Sequence, residues 1–200
     1  MSSWSELLDR AAPEEHVVQL YGRNDQLLTR NVSRYLAEGL RRGDALVVIA
    51  TREHADAITR ELTLHGADAV AASRDGRLVV LDAQETLDRF LVGGQPDEHL
   101  FRDVVGGVLA EAHRRSSTGH VRAFGEMVGL LWVAGDRAAA TRLEEYWNDL
   151  LRGTACSLFC AYPIDIYDNG DTAGLDAVLG THTHMSLGPN TMLSSPRGLQ

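Results

Sequence analysis

Five polar side chains stand at or just after the carboxyl ends of apolar runs, where a parallel sheet would bring them together. In open parallel sheets, ligands bind beyond the carboxyl ends of the strands, where the loops leave the sheet. We therefore predict that these side chains line one common ligand-binding crevice. The five residues are Tyr21, Thr51, Asp82, Glu126 and Tyr162.

Each of the two carboxylates in this set has a structural alternative. Glu126 follows an apolar run and precedes a helical pattern whose N-terminus favours negative charge, so it either lines the crevice or only caps that helix. Asp82, in the run LVVLDA, is similar to the aspartate that holds Mg²⁺ in nucleotide-hydrolysing enzymes. Because no phosphate-binding loop accompanies it, we expect Asp82 to cap a helix that begins at Ala83.

Two further residues, His16 and Trp132, are candidates for the same ligand site. His16 lies five residues before Tyr21, an offset that points the two side chains to opposite faces of an ideal strand. A structural role for His16 is therefore favoured over a paired site. Trp132 lies on an apolar helical stripe, which predicts core packing, although an aromatic wall would also suit an apolar ligand.

The sequence predicts no metal site. Cys156 and Cys160 lie in an apolar run that indicates a buried strand, where they would be about 13 Å apart at ~3.3 Å per residue. That separation exceeds the limit of roughly 7 Å for a disulfide, so we expect two reduced thiols. Cysteines without histidines nearby in the sequence make a weak zinc site. His182 and His184 have an i, i+2 spacing that suits a metal, but they fall in a predicted tail.

The composition excludes several kinds of chemistry. The net charge is −9, and all 19 basic residues are arginine. Binding of nucleic acid comes largely from cations that neutralise phosphates, so an acidic chain is not expected to bind it directly. A Walker A loop and Schiff-base catalysis both need a lysine side chain, and the chain has none.

Apolar runs alternate with helical patterns along the chain. Strands are predicted at 16–22, 45–50, 77–83, 120–126 and 156–163. Helices are predicted at 24–40, 52–65, 83–92, 97–114, 127–135 and 137–152, with a weakly extended segment at 67–73. This alternation indicates an α/β fold with a mostly parallel, doubly wound sheet and helices on both faces.

We predict one domain at residues 16–168, preceded by an N-terminal extension at 1–15 and followed by a loosely packed or mobile tail at 169–200. The tail is predicted because the composition shifts to Gly, Thr, Ser and Pro. No stretch approaches the roughly 18–20 apolar residues that a membrane span needs, and the acidic N-terminus is unlike a signal peptide. The expected location is the cytoplasm.

Six segments, in order over residues 16–163, resemble the MEDS domain, a sensory module. The matching segments are HVVQLY (16–21), GDALVVIAT (43–51), GRLVVLDAQETLDRFLVGGQPD (76–97), RAFGEMVGLLW (122–132), RLEEYWNDL (142–150) and SLFCAYP (157–163). The resemblance implies a RecA/KaiC-like fold without Walker A, found beside histidine kinases or DNA-binding modules, and a role in sensing small organic molecules. His16 is kept among the site candidates only because it matches this resemblance.

The function that we predict is non-catalytic: a signal-sensing domain binds a small organic ligand and passes the signal to a partner such as a histidine kinase or an anti-sigma type regulator of transcription. We expect no cofactor and no binding to nucleic acid or a membrane. The sequence is compatible with a homo-oligomer. One alternative is a degenerate nucleotide binder or enzyme in which Asp82 and Glu126 hold Mg²⁺ and Arg23 or Arg52 contacts phosphates. Another is a pure protein-interaction module.

Overall fold

The computed structural model describes residues 4–22, 25–164, 175–188 and 191–194. The strands are β1 (His16–Leu20), β2 (Ala45–Ala50), β3 (Leu78–Asp82), β4 (Leu91–Val92), β5 (Gln95–Pro96), β6 (Val121–Gly125), β7 (Cys156–Tyr162), β8 (His184–Gly188) and β9 (Thr191–Ser194). The helices are α1 (Trp4–Arg10), α2 (Gln26–Arg42), α3 (Arg52–Leu64), α4 (Ala69–Arg74), α5 (Ala83–Asp88), α6 (Glu98–Phe101), α7 (Gly107–Arg115), α8 (Met127–Val133), α9 (Arg137–Leu151) and α10 (Leu175–Thr181). A π-helical segment, Arg102–Gly106, joins α6 to α7.

Seven of the described strands form one sheet in the order β3-β2-β6-β7-β1-β8-β9. Neighbouring strands run parallel except for the antiparallel pair of β8 and β9. This sheet, with helices between its strands, confirms the predicted α/β class.

Helices cover both faces of the sheet. Alternate residues of β2 show this, because Val47 and Ile49 belong to a core cluster with α5 and α7–α9, whereas Leu46 and Val48 pack into a cluster with α1–α4. A strand that is buried on both faces has no solvent side, which is why β2 is an uninterrupted apolar run. The carboxyl ends of β1, β2 and β6 meet at one edge beneath the starts of α2, α3 and α8.

Two local predictions are wrong. The segment predicted to be extended at 67–73 is mostly helix α4, whose N-terminus is capped by the Asp68 side chain accepting from the Ala71 N–H at 2.8 Å. The helix predicted at 83–92 ends at Asp88, and β4 and β5 follow as a small hairpin. Gly93 and Gly94 both adopt positive φ, so this Gly-Gly pair permits the tight turn that ends the helical pattern.

The predicted tail is also wrong where the structure describes it. Helix α10 packs on the core through Val178, and β8 pairs with β1 in parallel and extends the sheet beyond β1. The remainder of the predicted tail, residues 169–174, 189–190 and 195–200, lies outside the described residues, as do residues 165–168 of the predicted domain. The N-terminal extension likewise belongs to the fold, because Leu7 and Leu8 of α1 are buried. None of the helices in the described part of the chain is long and apolar enough to cross a membrane.

Arg122 of β6 holds α1 and α2 against the sheet. Its side chain is fully buried, and its Nε donates to Asp44 Oδ2 at 2.9 Å. Its Nη1 donates to the carbonyl oxygens of Leu8 and Tyr35, at 2.8 and 3.0 Å. A buried guanidinium is tolerated only when a counter-ion and several acceptors replace water, and Arg122 has both.

We expect Asp44→Ala to destabilise the fold by roughly 3–5 kcal/mol, because it leaves the Arg122 charge buried without its partner. Urea unfolding followed by circular dichroism measures the change. Glu38→Ala is the matched control, since it removes the exposed ion pairs with Arg41 and Arg42 and should cost about 1 kcal/mol or less. Equal losses in the two variants would contradict this account of Arg122.

Candidate functional site

A cleft of about 460 Å³ lies at the carboxyl edge of the sheet. It includes three of the five residues predicted for the crevice: Tyr21 after β1, Thr51 after β2 and Glu126 after β6. The other lining residues come from the starts of α2, α3 and α5, from α8 and the residue after it, and from the segments that follow β1 and β7. They are Gly22, Asp25, Glu53, His54, Gln84, Gly129, Leu130, Val133, Ala134 and Pro163.

A wider surface groove of about 530 Å³ lies at the opposite edge, between the ends of α2 and α3 and helix α4. Its charged side chains largely neutralise one another, as in the pair of Arg34 and Asp9. In parallel α/β folds the binding site lies at the carboxyl edge, so the smaller cleft is the better candidate.

Glu126 is the centre of the cleft, and it is only 3% exposed. It occupies the N-cap position of α8 but makes no side-chain cap there, so helix capping is not its role. Its carboxylate instead accepts the backbone N–H of Thr51 and contacts His54 Nδ1 at 2.6 Å. Thr51 also caps α3, because its hydroxyl accepts from the N–H of His54 at 3.5 Å.

His54 lies between two carboxylates, which sequence reasoning did not anticipate. Its Nδ1 faces Glu126, and its Nε2 is 3.1 Å from Asp25 Oδ2. Both ring nitrogens can donate at once only in the imidazolium form. The hydrogen bond to Glu126 raises the pKa of His54 above its usual 6.5, against the opposing effect of burial. The sequence contains one indication of this role, because His54 lies in the first turn of a helix that directly follows a strand.

Tyr21 forms the wall of the cleft beside the triad of Glu126, His54 and Asp25. Its ring packs edge-on against His54, with the ring centres 5.7 Å apart. Burial, followed by the charges of Glu126 and Asp25, raises the pKa of Tyr21 well above its usual 10. The phenol therefore keeps its proton at neutral pH and can donate a hydrogen bond into the cleft.

The cleft combines an acidic side with an apolar side. Three carboxylates line it, from Asp25, Glu53 and Glu126, and among the described lining residues His54 is the one basic group. The opposite wall consists of aliphatic and proline side chains from α8 and the end of β7, namely Leu130, Val133, Ala134 and Pro163. Of the arginines considered for phosphate contacts, Arg52 does not line the cleft and Arg23 lies outside the described residues.

Four predicted site residues lie elsewhere, and three of them are Asp82, Tyr162 and Trp132. Asp82 caps α5 by accepting the N–H of Glu85 at 2.9 Å, which is the structural alternative expected from the sequence. Tyr162 is buried under α9, because the alternation of β7 turns its side chain away from the cleft. Trp132 packs edge-on against Tyr162, and the Arg137 guanidinium lies over its ring, so Tyr162 belongs to the core and Trp132 packs against it.

His16 belongs to a second buried polar cluster at the other end of β1. Its Nε2 lies 3.3 Å from Glu144 Oε2 and 3.2 Å from Cys160 Sγ. His182 Nε2 is 3.2 Å from Glu144 Oε1, and Tyr162 donates its hydroxyl proton to the same oxygen at 2.8 Å. His16 and Tyr21 thus serve different sites, as their spacing predicted, but the sequence did not predict the grouping of His16 with Glu144, Cys160 and His182.

Burial sets the charge state of this second cluster. It lowers the pKa of His16 to about 4, with the nearby His182 adding to the effect. Burial also raises the pKa of the Cys160 thiol well above 9, and the Glu144 carboxylate adds to this shift. Cys156 and Cys160 are both free, as expected from their spacing on β7.

A family model described as "MEthanogen/methylotroph, DcmR Sensory domain", abbreviated MEDS, matches residues 15–183. The chain belongs to the MEDS family. The matched span of this MEDS domain extends past the boundary predicted at residue 168, and it includes the residues of both the cleft and the buried cluster.

Two other proteins are similar to this MEDS chain. UPF0273 protein PAE3143 of Pyrobaculum aerophilum is 25% identical over 172 residues, which cover 82% of this chain and 59% of that protein. The chain thus spans less than two thirds of the length of that curated relative. The crystal structure of uncharacterized protein PH0321 from Pyrococcus horikoshii, in complex with an unknown peptide, superposes with a TM-score of 0.61 at 14% identity, covering 98% of this chain and 93% of that one. This second likeness shows the fold alone.

We expect Glu126→Gln to lower the pKa of His54, because the hydrogen bond to the Glu126 carboxylate is the main cause of its upward shift. NMR titration of the imidazole nitrogens measures the pKa. Since the folded-state pKa of His54 is raised, protonated His54 stabilises the wild-type fold fully below the unfolded pKa, and this contribution is lost as the pH rises through the folded pKa.

The matched control for this titration is Glu53→Gln, which neutralises a carboxylate of the same cleft that is more exposed. It should leave the His54 pKa nearly unchanged. A drop of the same size in both variants would mean that the general field of the cleft, and not the contact with Glu126, sets the pKa.

Proposed function

We propose that this MEDS chain is a non-catalytic sensor that binds a small organic molecule in the cleft around Glu126. The observation that carries the proposal is a buried carboxylate, oriented by the Thr51 N–H and by His54, in a cleft of about 460 Å³ at the carboxyl edge of the sheet. This volume suits a small molecule. The sensory description of the family supports the same function.

The lining favours a neutral or cationic ligand with a hydrogen-bonding group at one end. Carboxylate oxygens of Asp25 and Glu126 accept hydrogen bonds, and the Tyr21 hydroxyl can donate one. The aliphatic side chains of Leu130 and Val133 would cover the apolar part of such a ligand. A phosphate would instead face three carboxylates, which oppose it electrostatically.

The nucleotide-dependent alternative has less support. It requires Asp82 and Glu126 to share a Mg²⁺ ion, but Asp82 caps α5 and does not line the cleft. Binding without turnover therefore remains our proposal for this site.

Signal transfer would use the helices whose first turns form the cleft. Asp25 precedes α2, His54 lies in α3 and Glu126 precedes α8, so a ligand that replaces contacts of this triad acts on three helices together. A ligand shifts a conformational equilibrium only through its different affinities for the two states. We propose that a protein of a histidine kinase or transcription regulator pathway detects the resulting change in these helices.

Isothermal titration of the purified chain with short alcohols, amines and methylated amines tests the binding proposal, with ATP and Mg²⁺ as a separate arm. We expect saturable binding of at least one neutral or cationic compound and none of millimolar ATP with Mg²⁺. Glu126→Gln should weaken the binding roughly 10–100-fold, as expected for the loss of a charged hydrogen bond.

A variant that fills the cleft, together with a control at an exposed position outside it, tests whether the ligand binds in the cleft. Val133→Trp should block the cleft, whereas Val92→Trp, at an exposed position on the small hairpin, should bind like the wild type. The proposal fails if ATP is bound and hydrolysed while the organic compounds are not bound, or if Val133→Trp leaves the binding unchanged.

A further inference from the structure

Four side chains from separate elements direct potential metal ligands to one buried point. They are His16 of β1, Glu144 of α9, Cys160 of β7 and His182 between α10 and β8. One ligand atom from each lies within 4.8 Å of the others, and all four residues are buried. None of them lines the cleft around Glu126.

The hydrogen bonds of His16 determine which of its ring nitrogens carries the proton. Asn148 donates its Nδ2 to the carbonyl oxygen of Thr181 at 2.9 Å, which turns its Oδ1 towards His16. His16 Nδ1 lies 3.0 Å from this Oδ1, an atom that can only accept. The proton is therefore on Nδ1, and the lone pair of Nε2 faces Cys160 and Glu144.

His182 has the same arrangement. Its Nδ1 lies 2.6 Å from the carbonyl oxygen of Val178, so Nδ1 carries the proton that is donated. Its Nε2 is buried, has no hydrogen-bond partner and lies 3.2 Å from Glu144 Oε1. With neutral rings, two imidazole lone pairs would converge on a carboxylate and a sulfur atom. The single proton of the Cys160 thiol can be donated to only one of these acceptors, and a cation among them would satisfy the others.

We propose that this cluster binds one Zn²⁺ ion through His16 Nε2, His182 Nε2, Cys160 Sγ and one oxygen of Glu144. Imidazole, thiolate and carboxylate are the ligand types that Zn²⁺ takes in proteins. Zinc-bound histidines typically donate their other ring N–H to a carbonyl or carboxylate oxygen, as both of these rings do to amide oxygens. When the sulfur binds, the thiol proton of Cys160 is released to solvent.

The spacing of the ligand atoms is close to that of a tetrahedral site. Zinc bonds of about 2.0–2.3 Å at tetrahedral angles place neighbouring ligand atoms about 3.3–3.6 Å apart. His16 Nε2 is 3.2 Å from Cys160 Sγ and 3.3 Å from Glu144 Oε2. The distance from Cys160 Sγ to Glu144 Oε2 is 4.0 Å, and His182 Nε2 is 3.2 Å from the other oxygen, Oε1, so side-chain movements would have to bring all four ligands onto one ion.

Four protein ligands in a closed, buried site indicate a structural ion and not a catalytic one. The ligands connect the amino end of β1 with β7, α9 and the turn before β8. The ion would therefore anchor the C-terminal part of the sheet to its centre. This role does not depend on the ligand proposed for the cleft, and either proposal can fail without the other.

The test uses the full chain, stripped with a chelator and then titrated with Zn²⁺ in competition with a chromophoric chelator. We expect one Zn²⁺ per chain by elemental analysis and a higher melting temperature with the metal than without it. Replacement by Co²⁺ should give visible bands of a four-coordinate ion and a sulfur-to-metal charge-transfer band in the near ultraviolet.

Variants identify the ligands. Cys160→Ser should remove the charge-transfer band, and His182→Gln should abolish stoichiometric binding. Cys156→Ser is the matched control, because it changes the other buried thiol of the same strand, outside the cluster. Asn148→Ala, which removes the amide that orients His16, should weaken Zn²⁺ binding about 10–100-fold.

The proposal is overturned if the wild-type chain binds no stoichiometric Zn²⁺, or if Cys160→Ser and Cys156→Ser bind it equally well. Should Cys160→Ser not fold, the wild-type chain still decides the question. Its Co²⁺ form either shows the thiolate charge-transfer band, which supports the site, or lacks it, which overturns the assignment of Cys160 as a ligand.

Discussion

Helices cover both faces of the sheet, so each polar side chain that projects from its central strands must find its partners inside the protein. Strands β1, β2, β6 and β7 are buried along their whole lengths. A buried polar group without a partner costs more than most single contacts contribute. Gln19 on β1 accordingly accepts from Asn31 of α2, and Arg122 on β6 pairs with Asp44. These pairings fix where the helices lie on the sheet.

The same constraint produces two different polar centres at the two ends of β1. At the carboxyl end, Glu126 and His54 are nearly buried, but Asp25 has a side chain that is 52% exposed and opens the group to the cleft. At the amino end, His16, Glu144 and His182 are all within 1% of complete burial. An open centre can exchange its partners for a ligand, whereas a closed centre is shielded from solvent and suits a structural role.

The negative charge of the cleft argues against the nucleotide binding that parallel α/β sheets often carry out. Binding of a triphosphate needs cations at the carboxyl edge, where the described cleft instead presents Asp25, Glu53 and Glu126. The chain has no lysine to change this balance. A carboxylate that is already oriented and desolvated can bind a hydroxyl or an ammonium group with little rearrangement, which agrees with a sensory family.

The sequence by itself determined strands β1, β2, β3, β6 and β7, their parallel arrangement and the position of Tyr21, Thr51 and Glu126 at the carboxyl edge of the sheet. These features follow from local apolar periodicity and from the rule that ligands bind beyond the carboxyl ends of parallel strands. Both can be applied to the linear sequence alone. The capping role of Asp82 was predictable for the same reason, since its partner is only three residues away.

Only the tertiary structure decided which distant side chains meet. The contact of His54 with Glu126 joins residues 72 positions apart, and that of His16 with Cys160 joins residues 144 apart. Such contacts depend on the rotation of each helix on the sheet and on the docking of β8 beside β1, and no local pattern encodes either. Tyr162 was placed in the crevice for want of this information. The side-chain alternation of β7 and the packing of α9 direct it into the core, and Trp132, for which core packing was the favoured prediction, packs against it.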